Sequence, residues 1–363
     1  ATRKEAEGVE DEDTTAGVSA KSVSEENVNR REIKLELVGE RELDMGTRIE
    51  MAIAEGKRIA EVDKGEVVFV DKKRTPVKRA QIEKTKGWWV FSENGKYAGA
   101  LHYPIFDYDR TEKDSFVLYD SLGNQIWSIT REKDTGTLFH SRYGVSPDVK
   151  ISNDGSRVAV LENFNATEVS ADETFKVSFY GKAGEIVKTI TLPHPYYWQA
   201  GWSPDGEMFV VSVPGENAYK ISKDDIIYAF DKNGNELWKY AYKGVHFIGG
   251  SFGWAKCLVV SSRYIIHGYG DYLEKKHGVL FLDHKGKELK KLYPEKSAFY
   301  VDLSPDERWL LVWERWNCFL VNLESIEIVG SWNHKELGSN SNGLIKNCIL
   351  RDSDELITIK GFK

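Results

Sequence analysis

The sequence predicts an all-β fold: a seven-bladed β-propeller of four-stranded antiparallel blades, closed by pairing N-terminal strands with the C-terminal blade. Three observations carry this. Apolar residues alternate with period two rather than 3.6. A unit of apolar strand, polar turn and apolar strand recurs at roughly 50-residue intervals, the spacing of propellers and solenoids. Between successive units stands a second strand–turn–strand unit, so each period holds four strands.

The first unit reads "AIAEGKRIAEV" around Gly56, "WVFSENGKYAGAL" around Gly95, "VKISNDGSRVAVL" around Gly155 and "WSPDGEMFVVSV" around Gly206. It continues as "GSFGWAKCLVVS" around Ala255, "DLSPDERWLLVW" around Glu307 and "CILRDSDELITI" around Asp354. The second unit reads "VLYDSLGNQIWSI", "VSFYGKAGEIVKTI", "IYAFDKNGNELWKY" and "VLFLDHKGKELKKL", with weaker forms "VVFVDKKRTPVKRA" and "FLVNLESIEIVGSW". A glycine in such a turn supplies the positive φ that a tight hairpin needs. The seventh copy ends close to Lys363, so its blade lacks an outer pair. Residues 32–45, "EIKLELVGERELDM", alternate Ile33, Leu35 and Leu37 and are read as completing it. Closure removes two exposed sheet edges. A count of six follows if residues 32–60 are read otherwise.

The "SPDG" turns between apolar strands resemble the WD40-like repeats of bacterial TolB-type propellers. "FDKNGNELWKY" and "YDSLGNQIW" resemble the strand endings of PQQ-like propellers. The resemblance covers residues 47–363 at the level of the repeat and implies blades, not chemistry. Trp127 and Trp238 are therefore read as packing between blades. In quinone-binding propellers tryptophans stack on a cofactor; here no set of acid, asparagine and cysteines accompanies them, and no cofactor is expected.

Composition narrows the function. A net charge of −7 with no basic cluster argues against a nucleic-acid surface. No apolar run is long enough for a transmembrane helix. Cys257, Cys318 and Cys348 form no zinc-type pattern and read as small buried residues. Residues 1–30 hold eight acids, four bases and no aromatic residue, which predicts an acidic polar tail ahead of a single propeller domain at 31–363. The start at Ala1 is read as the trace of a removed secretory leader, which would place the protein outside the cytoplasm.

The candidate site follows from loop lengths. The two turns of a period stand further apart from Gly95 to Gly123, Gly155 to Gly184, Gly206 to Gly234 and Ala255 to Gly286 than in the flanking repeats. The extra residues fall between the second and third strands of blades 2–5, on one face. They comprise 102–114, 162–174, 214–225 and 263–277, and they carry Tyr108, Tyr219, Tyr269 and Tyr272. Tyrosines on loops held by a rigid scaffold suit recognition of a protein or a glycan. The connections between blades open on the same face and carry His140, Arg142, His194, Tyr196, Tyr197, Trp198 and His246. Arg142 with Tyr196, Tyr197 and Trp198 suits an anionic or sugar ligand. His140, His194 and His246 are the constellation for a metal with an open position, although their unequal offsets argue against it. Asp107, Asp109 and Asp114 have loose Ca²⁺ spacing but lack the glycine and terminal glutamate of an EF-hand loop. Asn165 heads the glycosylation sequon "NAT".

Three functions are expected in this order. The first is a non-enzymatic binding or scaffold module that uses the loop-rich face. The second is a structural subunit of a filament or surface layer, a homo-oligomer assembled through the N-terminal tail. The third is an enzyme with a site in the funnel, acting on a carbohydrate. No nucleophile elbow, P-loop or HExxH sequence supports the third.

Overall fold

A computed structural model of the chain describes residues 32–38, 57–63, 65–73, 75–82, 87–102, 114–131, 148–163, 175–192, 199–213, 225–242, 257–270, 277–292, 300–304, 306–313, 317–333, 347–352 and 356–362. These residues form β-strands joined by tight turns, with no helix among them.

The strands make seven sheets. Strand β1 (Glu32–Val38) belongs to the last. The first sheet is β2 (Ile59–Asp63), β3 (Glu66–Val70) and β4 (Pro76–Gln81). The second is β5 (Gly87–Phe91), β6 (Ala98–His102), β7 (Asp114–Tyr119) and β8 (Gln125–Arg131). The third is β9 (Asp148–Ile151), β10 (Val158–Asn163), β11 (Phe175–Tyr180) and β12 (Ile186–Leu192). The fourth is β13 (Gln199–Trp202), β14 (Met208–Val213), β15 (Asp225–Asp231) and β16 (Glu236–Tyr242). The fifth is β17 (Leu258–Val260), β18 (Ile265–Gly270), β19 (His277–Leu282) and β20 (Glu288–Leu292). The sixth is β21 (Tyr300–Leu303), β22 (Trp309–Trp313), β23 (Asn317–Asn322) and β24 (Glu327–Asn333). The seventh orders β25 (Asn347–Asp352), β26 (Leu356–Phe362) and then β1.

Sheets one to six are antiparallel meanders, as the repeat predicts. Each is punctuated the same way. At the end of its next-to-last strand the register slips by one residue, for example between Phe179 and Tyr180 and between Ala229 and Phe230. The turn that follows closes on a glycine of positive φ in the second to fifth sheets. In the second, Asp120 N–H donates to the Asn124 carbonyl at 3.0 Å and Gly123 N–H to the Asp120 carbonyl at 3.0 Å. This is a short hairpin loop ending in a bulge, which turns the chain without splaying the strands.

The turn between first and second strands is built on a buried serine. Ser203 Oγ accepts the Met208 N–H at 2.9 Å and donates to Asp205. Ser152 and Ser304 repeat this with Arg157 and Asp154, and with Trp309 and Asp306. The serine satisfies a backbone donor that the turn would otherwise bury unpaired, which is why "S-x-D" recurs at these places.

Hydrophobic packing lies between successive sheets. Phe69, Trp89 and Ala100 join the first to the second, and Phe116, Trp127, Val149 and Tyr180 join the second to the third. Phe179, Trp202 and Phe209 join the third to the fourth. Ile227 and Tyr269 belong to the core of the fourth and fifth sheets, and Phe281 and Val312 to that of the fifth and sixth. The first strands β5, β9, β13, β17, β21 and β25 touch in that order. Repeated sheets set face to face with their first strands adjacent are consistent with a propeller-like fold.

Two expectations are corrected. In the fifth repeat the turn is not around Ala255: it is Ser261–Tyr264, where Ser261 N–H donates to the Tyr264 carbonyl at 2.8 Å. Ser261 Oγ takes the Arg263 and Tyr264 N–H groups. Ser261 thus has the role of Ser203 in the fourth sheet, in a turn that closes without a glycine. In the last sheet β1 does pair with β26, but parallel to it, Glu32 facing Leu356 and Val38 facing Phe362. An added strand of that direction has the polarity of a fourth strand, set directly against the second.

Candidate partner-binding edge

The strand ends define two edges. On one, every described turn is tight and chemically self-sufficient, and successive sheets are tied together there. Asn94 donates its backbone N–H to Asn153 Oδ1 at 2.9 Å and its amide to the Asn153 carbonyl at 2.7 Å. Arg157 Nε reaches the Lys232 carbonyl at 3.1 Å, and Lys188 Nζ reaches Asn235 Oδ1 at 2.8 Å. Ser262 N–H donates to Glu307 Oε2 at 2.9 Å. Burial raises the Asp154, Asp205 and Asp231 carboxyls, but hydrogen bonds from Ser152, Ser203 and Asn235 outweigh it and hold all three below the ordinary aspartate value. The polar groups named here are committed to the scaffold.

The opposite edge is where the connections 103–113, 164–174 and 214–224 leave and re-enter the second, third and fourth sheets. The corresponding links are 271–276 in the fifth, 314–316 in the sixth and 64–65 in the first. The long insertions thus belong to three consecutive sheets, not four. The segment 263–277 contains strand β18, a consequence of the misplaced fifth turn.

Tyr108, Asp107, Asp109, His140, Arg142, Asn165, His194, Tyr196, Tyr197, Trp198, Tyr219, His246 and Tyr272 lie outside the described residues. Asp114 opens β7. Tyr269 is not a surface residue: it is 3% exposed, in the core between the fourth and fifth sheets. It fits because Gly278 has no side chain; a Cβ there would lie 2.8 Å from the Tyr269 hydroxyl. His102, at the end of β6 on this edge, has its pKa lowered by burial.

One polar pair was not foreseen. Ser212 on β14 and His267 on β18 meet across the seam between fourth and fifth sheets, Oγ to Nε2 at 2.7 Å. The spacing is that of a nucleophile and its base, but both side chains are wholly enclosed. No substrate reaches Oγ, and burial drives the imidazole pKa down to about 3, so it is neutral. The pair bridges two sheets. Nothing in the isolated "HGYG" stretch signals this, because the partner lies 55 residues away.

At the first strands β5, β9 and β13, Val90, Val149, Ile151, Trp202, Glu93 and Lys150 line a recess of about 190 Å³. That is below the usual size of a small-molecule site, roughly 300–1,000 Å³. Among the described residues no group of three or more His, Cys, Asp or Glu is arranged to hold a metal ion. Nor does any helix among them have the length and apolarity to cross a membrane.

No family model matches the chain, and no curated protein matches it. A solved structure described as "Crystal structure of the eukaryotic initiation factor" is similar over 77% of this chain, with 14% identity and a TM-score of 0.47. The chain spans 63% of the length of that structure. A likeness of that degree bears on neither activity nor partner.

Proposed function

We propose that the chain is a seven-bladed propeller, closed by β1 on β26, and that it acts as a binding scaffold rather than an enzyme. It would receive a protein or glycan partner at the edge bearing the connections 103–113, 164–174 and 214–224. The observation that supports this is the contrast between the edges. One is a lattice of short turns bonded to one another. The other carries the insertions of three neighbouring blades, anchored side by side on rigid strand ends. Insertions anchored on such ends are where binding residues concentrate.

The test is to replace each of the three connections by a short glycine-containing turn, singly and together. Wild type and variants are then compared on a glycan array and against a displayed peptide library. The reading expects unchanged thermal unfolding and loss of the ligands that wild type selects. Retention of those ligands by the triple variant would refute it.

A further inference from the structure

Residues 72–80, KKRTPVKRA, correct the reading that the chain has no basic cluster. They hold five bases and no acid, whereas the densest rival, 284–292, sets four lysines against Glu288. The stretch is the outer hairpin of the first sheet, the turn after β3 and then β4. Lys72, Lys73, Lys78 and Arg79 are exposed. With Glu66 and Asp71 counted at full charge, the hairpin 66–81 carries +3. Counted alike, 175–192 and 277–292 carry +2, and the outer hairpins of the second, fourth and sixth sheets are negative.

The charge gathers at the turn. Arg79 pairs with Glu66 at the far end of the hairpin, Nη1 to Oε1 at 3.3 Å. Lys78 Nζ donates to the Gly123 carbonyl in the turn of the second sheet. Arg58 stands beside the turn, its Nε donating to the Val70 carbonyl at 3.0 Å. The Asp71 carboxylate faces its own turn and accepts the Lys73 and Thr75 N–H groups at 2.8 and 2.9 Å. Lys72 and Lys73 thus present the tip, and the outer edge of β4 has no neighbour among the described residues.

The chain supplies a complement of its own. Residues 1–30 hold eight acids and four bases, with four acids in succession at 10–13, EDED. They lead into β1, whose Glu32 pairs with Leu356, the first residue of β26. Because β26 follows the turn from β25, the segment joins β1 at the tight-turn edge, the edge that also bears the turn at 71–75. In a seven-bladed ring the seventh and first sheets are neighbours, so the most cationic hairpin is also the nearest. Asp13 and Glu32 are about 20 residues apart, a chain of roughly 25 Å root-mean-square span. Sheets packed face to face lie about 10 Å apart and splay toward the rim, which is within that reach.

We propose that the acidic segment 1–30 docks within its own chain, the run Glu10–Asp13 lying against the Lys72 and Lys73 turn of the first sheet. The contact is a latch that covers the one strongly basic surface of a chain whose net charge is −7. The tether favours the chain's own tail over a second copy's, because it holds the acids at an effective concentration of about 1 mM. The inference rests on the seven-bladed ring proposed above, which makes the first and seventh sheets neighbours. The disulfide between β1 and β26 checks that ring separately. If it forms and the competition described next fails, the latch alone is wrong.

The experiment follows a fluorescent peptide of residues 1–20 by anisotropy. It is titrated with the full chain, with a variant lacking residues 1–30, and with that truncated variant carrying K72E/K73E or, as a control, K285E/K287E. Circular dichroism confirms folding. The peptide should bind the truncated chain, more weakly as salt rises. It should bind at least tenfold more weakly to the full chain, whose own tail occupies the site, and to the K72E/K73E variant, but not to K285E/K287E. A peptide carrying E10K/D11K/E12K/D13K should recover binding to the K72E/K73E variant. Sedimentation velocity should show the full chain monomeric. Failure of the peptide to bind the truncated chain at about 1 mM, the tethered concentration, would overturn the proposal. So would equal binding by full and truncated chains, or binding indifferent to K72E/K73E. Self-association lost on truncation would assign the tail to a second copy instead. Heparin bound as tightly by the full chain as by the truncated one would show the turn open to an external polyanion, and either result overturns the latch.

Discussion

Gly184 lies flat against the indole of Trp127: a Cβ on the glycine would stand 2.9 Å from Cε3 of the ring. The same contact recurs around the molecule, with Gly286 on Trp238, Gly234 on Phe179 and Gly123 on Phe69. Each outer turn is thus seated on an aromatic ring of the preceding sheet. Trp127 and Trp238 pack between sheets, and Trp238 Nε1 also donates to the His284 carbonyl at 2.8 Å.

Gly184→Ala should destabilise the protein by about 1–3 kcal/mol, from a side chain at φ +82° and from a clash in a packed interface. Gly286→Ala should behave alike. Gly201→Ala is the control: its nearest neighbour would be Val260 at 3.6 Å, and its φ is not positive. It should stay within about 0.5 kcal/mol of wild type. Urea unfolding measures all three.

Glu307 occupies a left-handed position, φ 55°, where the equivalent turns have glycine, and its carboxylate accepts the Ser262 N–H. Strain and hydrogen bonding therefore oppose each other at one residue. Glu307→Ala keeps the strain and loses the bonds, at a cost of about 1–3 kcal/mol. Glu307→Gly loses the bonds but also the strain, so it should be about 1 kcal/mol more stable than the alanine variant. An alanine variant as stable as the glycine one would show that Glu307 is unstrained.

The buried imidazole of His267 gives a pH signature. Its pKa falls from 6.5 to about 3 on folding, because burial disfavours the charged form. The unfolded chain therefore binds the extra proton between those values and the folded one does not. Stability is full above pH 6.5 and declines as pH drops toward 3, with a limiting slope of about 1.4 kcal/mol per pH unit. Asp154, Asp205, Asp231 and Glu288, held below their ordinary values, add their own losses only at the acid end of that range. His267→Gln should flatten the stability profile between pH 6.5 and 5. Ser212→Ala should lower stability at neutral pH and leave the slope in place.

Cys257 and Cys318 are buried cysteines, and burial pushes the Cys257 pKa up to about 12. Neither should react with a disulfide reagent in the native protein at pH 8, and both should react on unfolding. Peptide mapping after labelling distinguishes them from Cys348. Labelling of native Cys257 at the rate of a free thiol would contradict the packing of the fifth sheet.

The repeat was legible because its turns demand particular residues: the serine of "SPDG" fills a buried bonding role, and Gly184 must be glycine for two reasons at once. The fifth repeat was misread where Ser261 and Tyr264 make a turn without glycine or proline. That error moved Tyr269 from the core into a loop. Alternation of Ile33, Leu35 and Leu37 announces a strand but carries no information about its neighbour's direction, so the parallel pairing with β26 was not readable. The bond between Ser212 and His267 depends on how two sheets meet, which local pattern does not encode.

Strands β1, β26 and β25 join in one sheet. Leu35 and Ile359 are paired across β1 and β26. Cysteines placed at both positions, in a Cys348→Ser background, test it directly. Near-complete oxidation is expected within single chains, seen as a faster-migrating monomer on non-reducing gels, with a higher melting temperature than the reduced form. A disulfide that fails to form, or that forms only between chains, would contradict it.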